Sequence, residues 1–247
     1  MISTLDLPQE LFLLITDELS SPADFCLYQI IAQHLKKSES VIYLAVSEDI
    51  TRLKSILSRS GVNVQEVLSS NLLDVVDASP PLDGHTADYL RSLYDLISMK
   101  MKNIVGPCAL ILDDIASMHW LGISTLDLKR FCRALRALCL KARATLAIRL
   151  HVTSREEPDD LFRRLLQLSA YHLEVRPLSS GKSASVSGIV SRPILFSCSR
   201  RNPVSQIALR AAPCAPALPP TKPSVIQYRL ADYGAVFFDK GTGAAVL

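Results

Sequence analysis

The chain of 247 residues sets 27 Lys and Arg against 24 Asp and Glu, and 49% of it is hydrophobic, which excludes a disordered polymer and provides for a full core. No uncharged apolar run reaches the roughly 18–20 residues needed to cross a bilayer, and Asp6 and Glu10 interrupt the stretch where a signal peptide needs an apolar middle. The six cysteines (Cys26, Cys108, Cys132, Cys139, Cys198, Cys214) show neither CxxC pairs nor a histidine at zinc-finger spacing, so reduced structural thiols are expected and no metal.

LFLLIT (Leu11–Thr16) is a short aliphatic run that suits a buried strand. Ser20, Ser21 and Pro22 then mark a helix start, and Phe25, Leu27, Tyr28, Ile31 and Leu35 make its stripe up to Lys36 and Lys37. The pattern recurs. SVIYLAV (Ser40–Val46) reads as a strand, Asp49–Ser60 as a helix stopped by Gly61, and LLDVVDA (Leu72–Ala78) as a further strand. A loop with Pro80, Pro81 and Gly84 leads to a helix over Ala87–Lys102 and then to ALILDDIASM (Ala109–Met118), an apolar run ending in Asp113 and Asp114.

Thr125–Arg143 predicts a long helix with Leu128, Phe131, Leu135 and Cys139 on its core side, followed by the strand TLAIRLHV (Thr145–Val152), a helix over Leu161–Ala170 and the strand YHLEV (Tyr171–Val175). Strands alternating with helices call for an α/β fold: a mostly parallel sheet covered by helices on both faces.

After Arg176 the texture changes. Residues 177–224 hold eight prolines, ten serines and the cations Lys182, Arg192, Arg200, Arg201, Arg210 and Lys222 with no Asp or Glu, and read as a basic, partly flexible excursion. Two alternating runs within VIQYRLADYGAVFF (Val225–Phe238) then predict a terminal β-hairpin, so that 225–247 completes the domain begun by 1–176.

An acidic pair at a strand end raises the question of a nucleotide site, in which carboxylates hold magnesium and a glycine-rich loop with lysine cradles phosphate. The connection after the first strand reads TDELSSPAD (Thr16–Asp24), without glycine or lysine and with Asp17, Glu18 and Asp24 in it. Phosphate binding in the usual mode is therefore disfavoured, and a structural role for Asp113 and Asp114, as caps of a following helix, is the plainer reading. SGKS (Ser180–Ser183) lacks the preceding glycine and follows a late strand. His34, His85, His119, His151 and His172 stand in no catalytic pattern, and no GxSxG elbow occurs. No catalytic residue and no cofactor are expected.

The order of elements, LILDD at Leu110–Asp114, LSSGKSASVSG at Leu178–Gly188 and above all the ending QYRLADYGAVFFDKGTGAAVL (Gln227–Leu247) resemble the Elongator subunit six family. The resemblance implies a RecA-like fold with a lost phosphate loop, Asp113 and Asp114 being the vestigial acidic pair of a nucleotide site. It also implies a hetero-hexameric ring with subunits four and five, contact with the remaining Elongator subunits, and a non-enzymatic role in wobble-uridine modification through tRNA bound by the ring. A cytoplasmic location is implied, with the nucleus as a second compartment. Residues 189–222 depart from the family's pattern of short strands and linker. For RNA contact the clustered cations Lys182, Arg192, Arg200 and Arg201 are candidates, with Arg130, Arg133 and Arg136 on the long helix as a second set; the plainer reading is a solvated basic loop for the first set and a solvent- or subunit-facing strip for the second. The alternative reading is an active ATPase of the same fold, in which Asp113 or Asp114 coordinates magnesium beside an unorthodox loop.

Overall fold

A computed structural model describes residues 10–47, 50–81, 86–153, 159–177, 188–191, 225–231 and 234–239. The first half runs β1 (Phe12–Asp17), α1 (Asp24–Lys36), β2 (Ser40–Ala45), α2 (Ile50–Arg59), α3 (Val64–Ser69), β3 (Leu73–Asp77), α4 (Thr86–Lys102) and β4 (Cys108–Asp113). The second half runs α5 (Ile115–Trp120), α6 (Thr125–Ala142), β5 (Thr145–His151), α7 (Asp160–Leu168), β6 (Tyr171–Arg176), β7 (Gly188–Ser191), β8 (Val225–Ala231) and β9 (Gly234–Asp239).

Six strands run parallel in the order β3, β2, β4, β5, β1, β6, because helical crossovers return the chain to the same edge before each new strand. Beyond β6 the sheet continues antiparallel through β7, β8 and β9, and the last two form the expected terminal hairpin. Successive side chains of a strand point to opposite faces. Leu13, Ile15, Val41, Tyr43, Ile111 and Ala147 therefore pack under α1, α2 and α3, while Phe12, Leu14, Ile42, Leu44, Leu112 and Ile148 pack under α4 to α7. Both faces are covered, which is why these strands read as continuous apolar runs rather than alternating ones.

Three elements were not expected. α3 and α5 span six residues each, too few for a helical period to show, and each is started by a side-chain cap: Asn63 accepts from the Glu66 amide and Asp114 from the Ala116 amide. The third, β7, falls inside the segment 177–224 that was expected to leave the fold; its four residues gain their strand conformation from pairing with β6 and β8 on either side. The hairpin is joined to the main core through Tyr228, 1% exposed, whose ring stacks on Phe25 of α1 with centroids 4.4 Å apart. Among the described residues no helix is long and apolar enough to cross a membrane.

Candidate functional site

At the carboxyl ends of the parallel strands, α1 leaves β1 over one face of the sheet while α7 leaves β5 over the other. Ligands of open α/β sheets bind at such a divergence. Strand alternation brings Asp17, Tyr43, Asp113, Arg149 and His151 out on the α1 side, where they meet Asp24 at the start of α1.

Arg149 is the centre of this group. Its Nε lies 2.9 Å from Asp113 Oδ1, one terminal nitrogen donates to Asp24 Oδ1 at 3.2 Å, and the other donates to Ser47 Oγ at 3.3 Å. Burial disfavours the guanidinium charge, but Asp113, Asp17, Asp114 and Asp24 together outweigh that cost and hold the arginine firmly protonated. Asp113 has no exposure, and its second oxygen accepts from the Tyr43 hydroxyl at 2.7 Å. Asp24 also accepts from Arg52 at 2.9 Å, a pair that faces solvent on the arginine side.

Asp114, joined to Asp113 by a cis peptide bond, turns away from the arginine. Its Oδ1 accepts from the Ala116 amide at 3.0 Å and the His151 amide at 3.2 Å, and its Oδ2 accepts from the Ser117 hydroxyl at 3.1 Å. It is a helix cap that also ties α5 to the end of β5. Asp17 accepts from the Ala23 amide at 2.6 Å, and its other oxygen stands 2.8 Å from His151 Nδ1. Burial raises the Asp17 carboxyl above its ordinary range, opposed by Arg149, the Ala23 N–H and His151. The exposed indole of Trp120 lies edge-on to the His151 ring, with centroids 5.8 Å apart.

The chemistry of this arrangement is that of a closed site. The loop Thr16–Asp24 turns Asp17 and Asp24 inward, so the carboxylates that would repel a phosphate are neutralised by a side chain of β5. One oxygen of Asp113 accepts from Tyr43 and the other is ion-paired with Arg149, while both oxygens of Asp114 accept from protein donors. Cys26, fully buried nearby, is held as a thiol because burial and the charges of Asp17 and Asp24 raise its pKa well above the usual value against the pull of Arg149. Among the described residues no three His, Cys, Asp or Glu are placed to hold a metal ion.

The structure thus brings Asp113 and Asp114 to the strand end where a nucleotide site would lie and gives each a structural partner. Lys182, Arg192, Arg200 and Arg201, with the SGKS stretch, lie outside the described residues. Arg130 and Arg133 are exposed on α6 and Arg136 is half-buried there. Of the hairpin aromatics, Tyr228 is in the core, while Tyr233 and the side chains of Phe237 and Phe238 lie outside the described set. Sequence reasoning missed Arg149. The signal was a lone guanidinium inside TLAIRLHV, a strand otherwise apolar enough to be buried, where a charge requires carboxylate partners.

No protein-family profile matches the chain. Elongator complex protein 6 of Xenopus laevis is 22% identical to it, over 96% of this chain and 92% of that protein. The proteins of the same name from Xenopus tropicalis and Danio rerio are 24% and 23% identical with the same coverage. Over nearly its whole length the chain is similar to Elongator complex protein 6 of three vertebrates. The crystal structure of a KaiC-like protein from the archaeon Pyrococcus horikoshii superposes with a TM-score of 0.62 at 12% identity, over 94% of this chain and 90% of that one, and the fold is RecA-like. In this chain the strand ends of a RecA-like sheet are closed by a built-in arginine.

Proposed function

We propose that this chain is a non-catalytic subunit of the Elongator complex, which joins subunits four and five in a hetero-hexameric RecA-like ring that binds tRNA and supports wobble-uridine (U34) modification in the cytoplasm. The observation that carries the reading is Arg149: its guanidinium, ion-paired to Asp113 and Asp24, takes up these carboxylates at the strand ends. The family relatives support the assignment to the complex. RecA-like neighbours in a ring share large side surfaces, so the chain is expected to need its partners.

The test is coexpression with subunits four and five of the same organism, followed by mass determination, tRNA titration and an ATPase assay on the isolated chain. A six-membered assembly that binds tRNA, with no saturable ATP hydrolysis by the isolated chain, is the expected result. A lone monomer that hydrolyses ATP, and loses this on Asp113→Asn plus Asp114→Asn, overturns it.

A further inference from the structure

Lys129 near the start of α6 is paired with Asp160 at the start of α7. That pair shows which side of each helix faces the groove between them. On α6, Arg133 and Arg136 follow Lys129 at i+4 and i+7 and share its side; on α7, Arg163 and Arg164 follow Asp160 at i+3 and i+4 and share its side. Both helices are crossovers of parallel strands, so they run in the same direction, and one turn beyond the pair the groove is flanked by arginine from both sides. Arg133, Arg163 and Arg164 are exposed and Arg136 is half-buried. Beyond Asp127 in α6 and Asp160 in α7 neither helix contains another carboxylate.

Four like charges along one groove repel each other, and nothing on either helix beyond the Lys129–Asp160 pair offsets them. Such a surface is complementary to an anion. Helix axes pack about 8–10 Å apart and a turn rises about 5.4 Å, so the four guanidiniums are too widely spread for one phosphate to meet them all, whereas successive phosphates of a chain can. Arginine suits this role because its planar fork binds phosphate oxygens in pairs. Neither helix exposes an aromatic ring beside these arginines for bases to stack on, and the exposed Leu126 and Leu140 stand at opposite ends of α6, so they form no apolar centre of the kind that anchors a protein partner.

We infer that the α6–α7 groove, through Arg133, Arg136, Arg163 and Arg164, binds the phosphate backbone of a folded RNA. This rests on the reading of the chain as an RNA-handling Elongator subunit, and places the contact on the helical layer rather than on Lys182, Arg192, Arg200 and Arg201.

The test uses the assembly with subunits four and five and bulk tRNA as probe, titrated at several salt concentrations with wild-type chain and with Arg133→Gln, Arg136→Gln, Arg163→Gln and Arg164→Gln combined. Three of the four positions are exposed and Arg136 is half-buried, and thermal unfolding of the variant checks that it folds. Affinity at low salt about tenfold weaker or more, with the slope of log K against log salt flattened by about 3, is the expected outcome for about four lost phosphate contacts. Unchanged affinity and slope in the variant, with tRNA bound by wild type, overturns the groove and leaves the Elongator reading standing. Failure of the wild-type assembly to bind tRNA removes that reading and the groove with it. A folded variant that no longer enters the assembly shows a protein-docking groove instead and also overturns the inference.

Discussion

Nε of Arg149 stands 2.9 Å from Oδ1 of Asp113, and the two side chains are 9% and 0% exposed. A pair so buried is sustained only while both partners are present. Arg149→Met is expected to lower stability by about 3–5 kcal/mol, since Asp113 and Asp24 lose their shared cation inside the protein. Asp113→Asn in the same background removes the stranded charge while keeping an acceptor for Tyr43, and should recover part of the loss. Urea unfolding of the single and double variants measures both effects; a double variant less stable than Arg149→Met would contradict the account.

Asp114 accepts hydrogen bonds from the Ala116 amide, the His151 amide and the Ser117 hydroxyl. Asp114→Ala should cost about 1–2 kcal/mol, in the range of a lost helix cap, while Asp114→Asn should cost less because its amide oxygen still serves as an acceptor. Magnesium should leave the melting temperature of the wild-type chain where it was. A magnesium-dependent rise that disappears in Asp114→Asn would restore a metal role.

His34 is buried at the end of α1 beside Glu39, with Nδ1 2.6 Å from the carboxylate. Burial lowers its pKa below the ordinary 6.5, and the attraction of Glu39 only partly opposes this. Between the lowered value and 6.5 the unfolded chain binds more protons than the native one, so stability rises with pH across that window. The contribution is complete above 6.5 and is lost as pH falls through the window, with a slope of at most about 1.4 kcal/mol per pH unit. Chemical unfolding of wild type and His34→Gln from pH 7.5 to 5 should show curves that diverge on acidification; parallel curves would remove His34 as the cause.

Tyr228 carries the hairpin into the core by stacking on Phe25. Tyr228→Ala is expected to destabilise by about 3–5 kcal/mol, the range for large aromatic truncations. Limited proteolysis should then cut between β7 and β9 before the parallel strands are attacked. Uniform cleavage throughout the chain would show that the hairpin is not a separable unit.

Ser191 at the end of β7 and Val225 at the start of β8 are register partners, although 192–224 separate them in sequence. A two-residue Asn-Gly link in place of 192–224 satisfies the same antiparallel pairing. Circular dichroism and the melting temperature of this deletion should match the full chain within a few degrees. A chain that fails to fold would show that the removed segment supplies core contacts.

The parallel strands and their helices were legible because each is long enough to declare a period and each strand is buried on both faces. LILDD and the LFLLIT run needed no tertiary information. β7 was not legible: GIVS is four residues among serines and prolines, and only its neighbours make it a strand. The site was legible by half. The missing glycines and lysine of Thr16–Asp24, and its carboxylates, were plain in the sequence, but the pairing of Asp113 with Arg149 and of Asp17 with His151 joins residues far apart in the chain, which no local pattern reveals.

The cation that satisfies these strand ends is covalently part of β5 and cannot dissociate. A site that borrows its counter-charge from solution changes with the supply of that ligand, whereas this one is always saturated. At this point in the sheet the counter-charge is constitutive: the pairing of Arg149 with Asp113 and Asp24 does not depend on the supply of any solute.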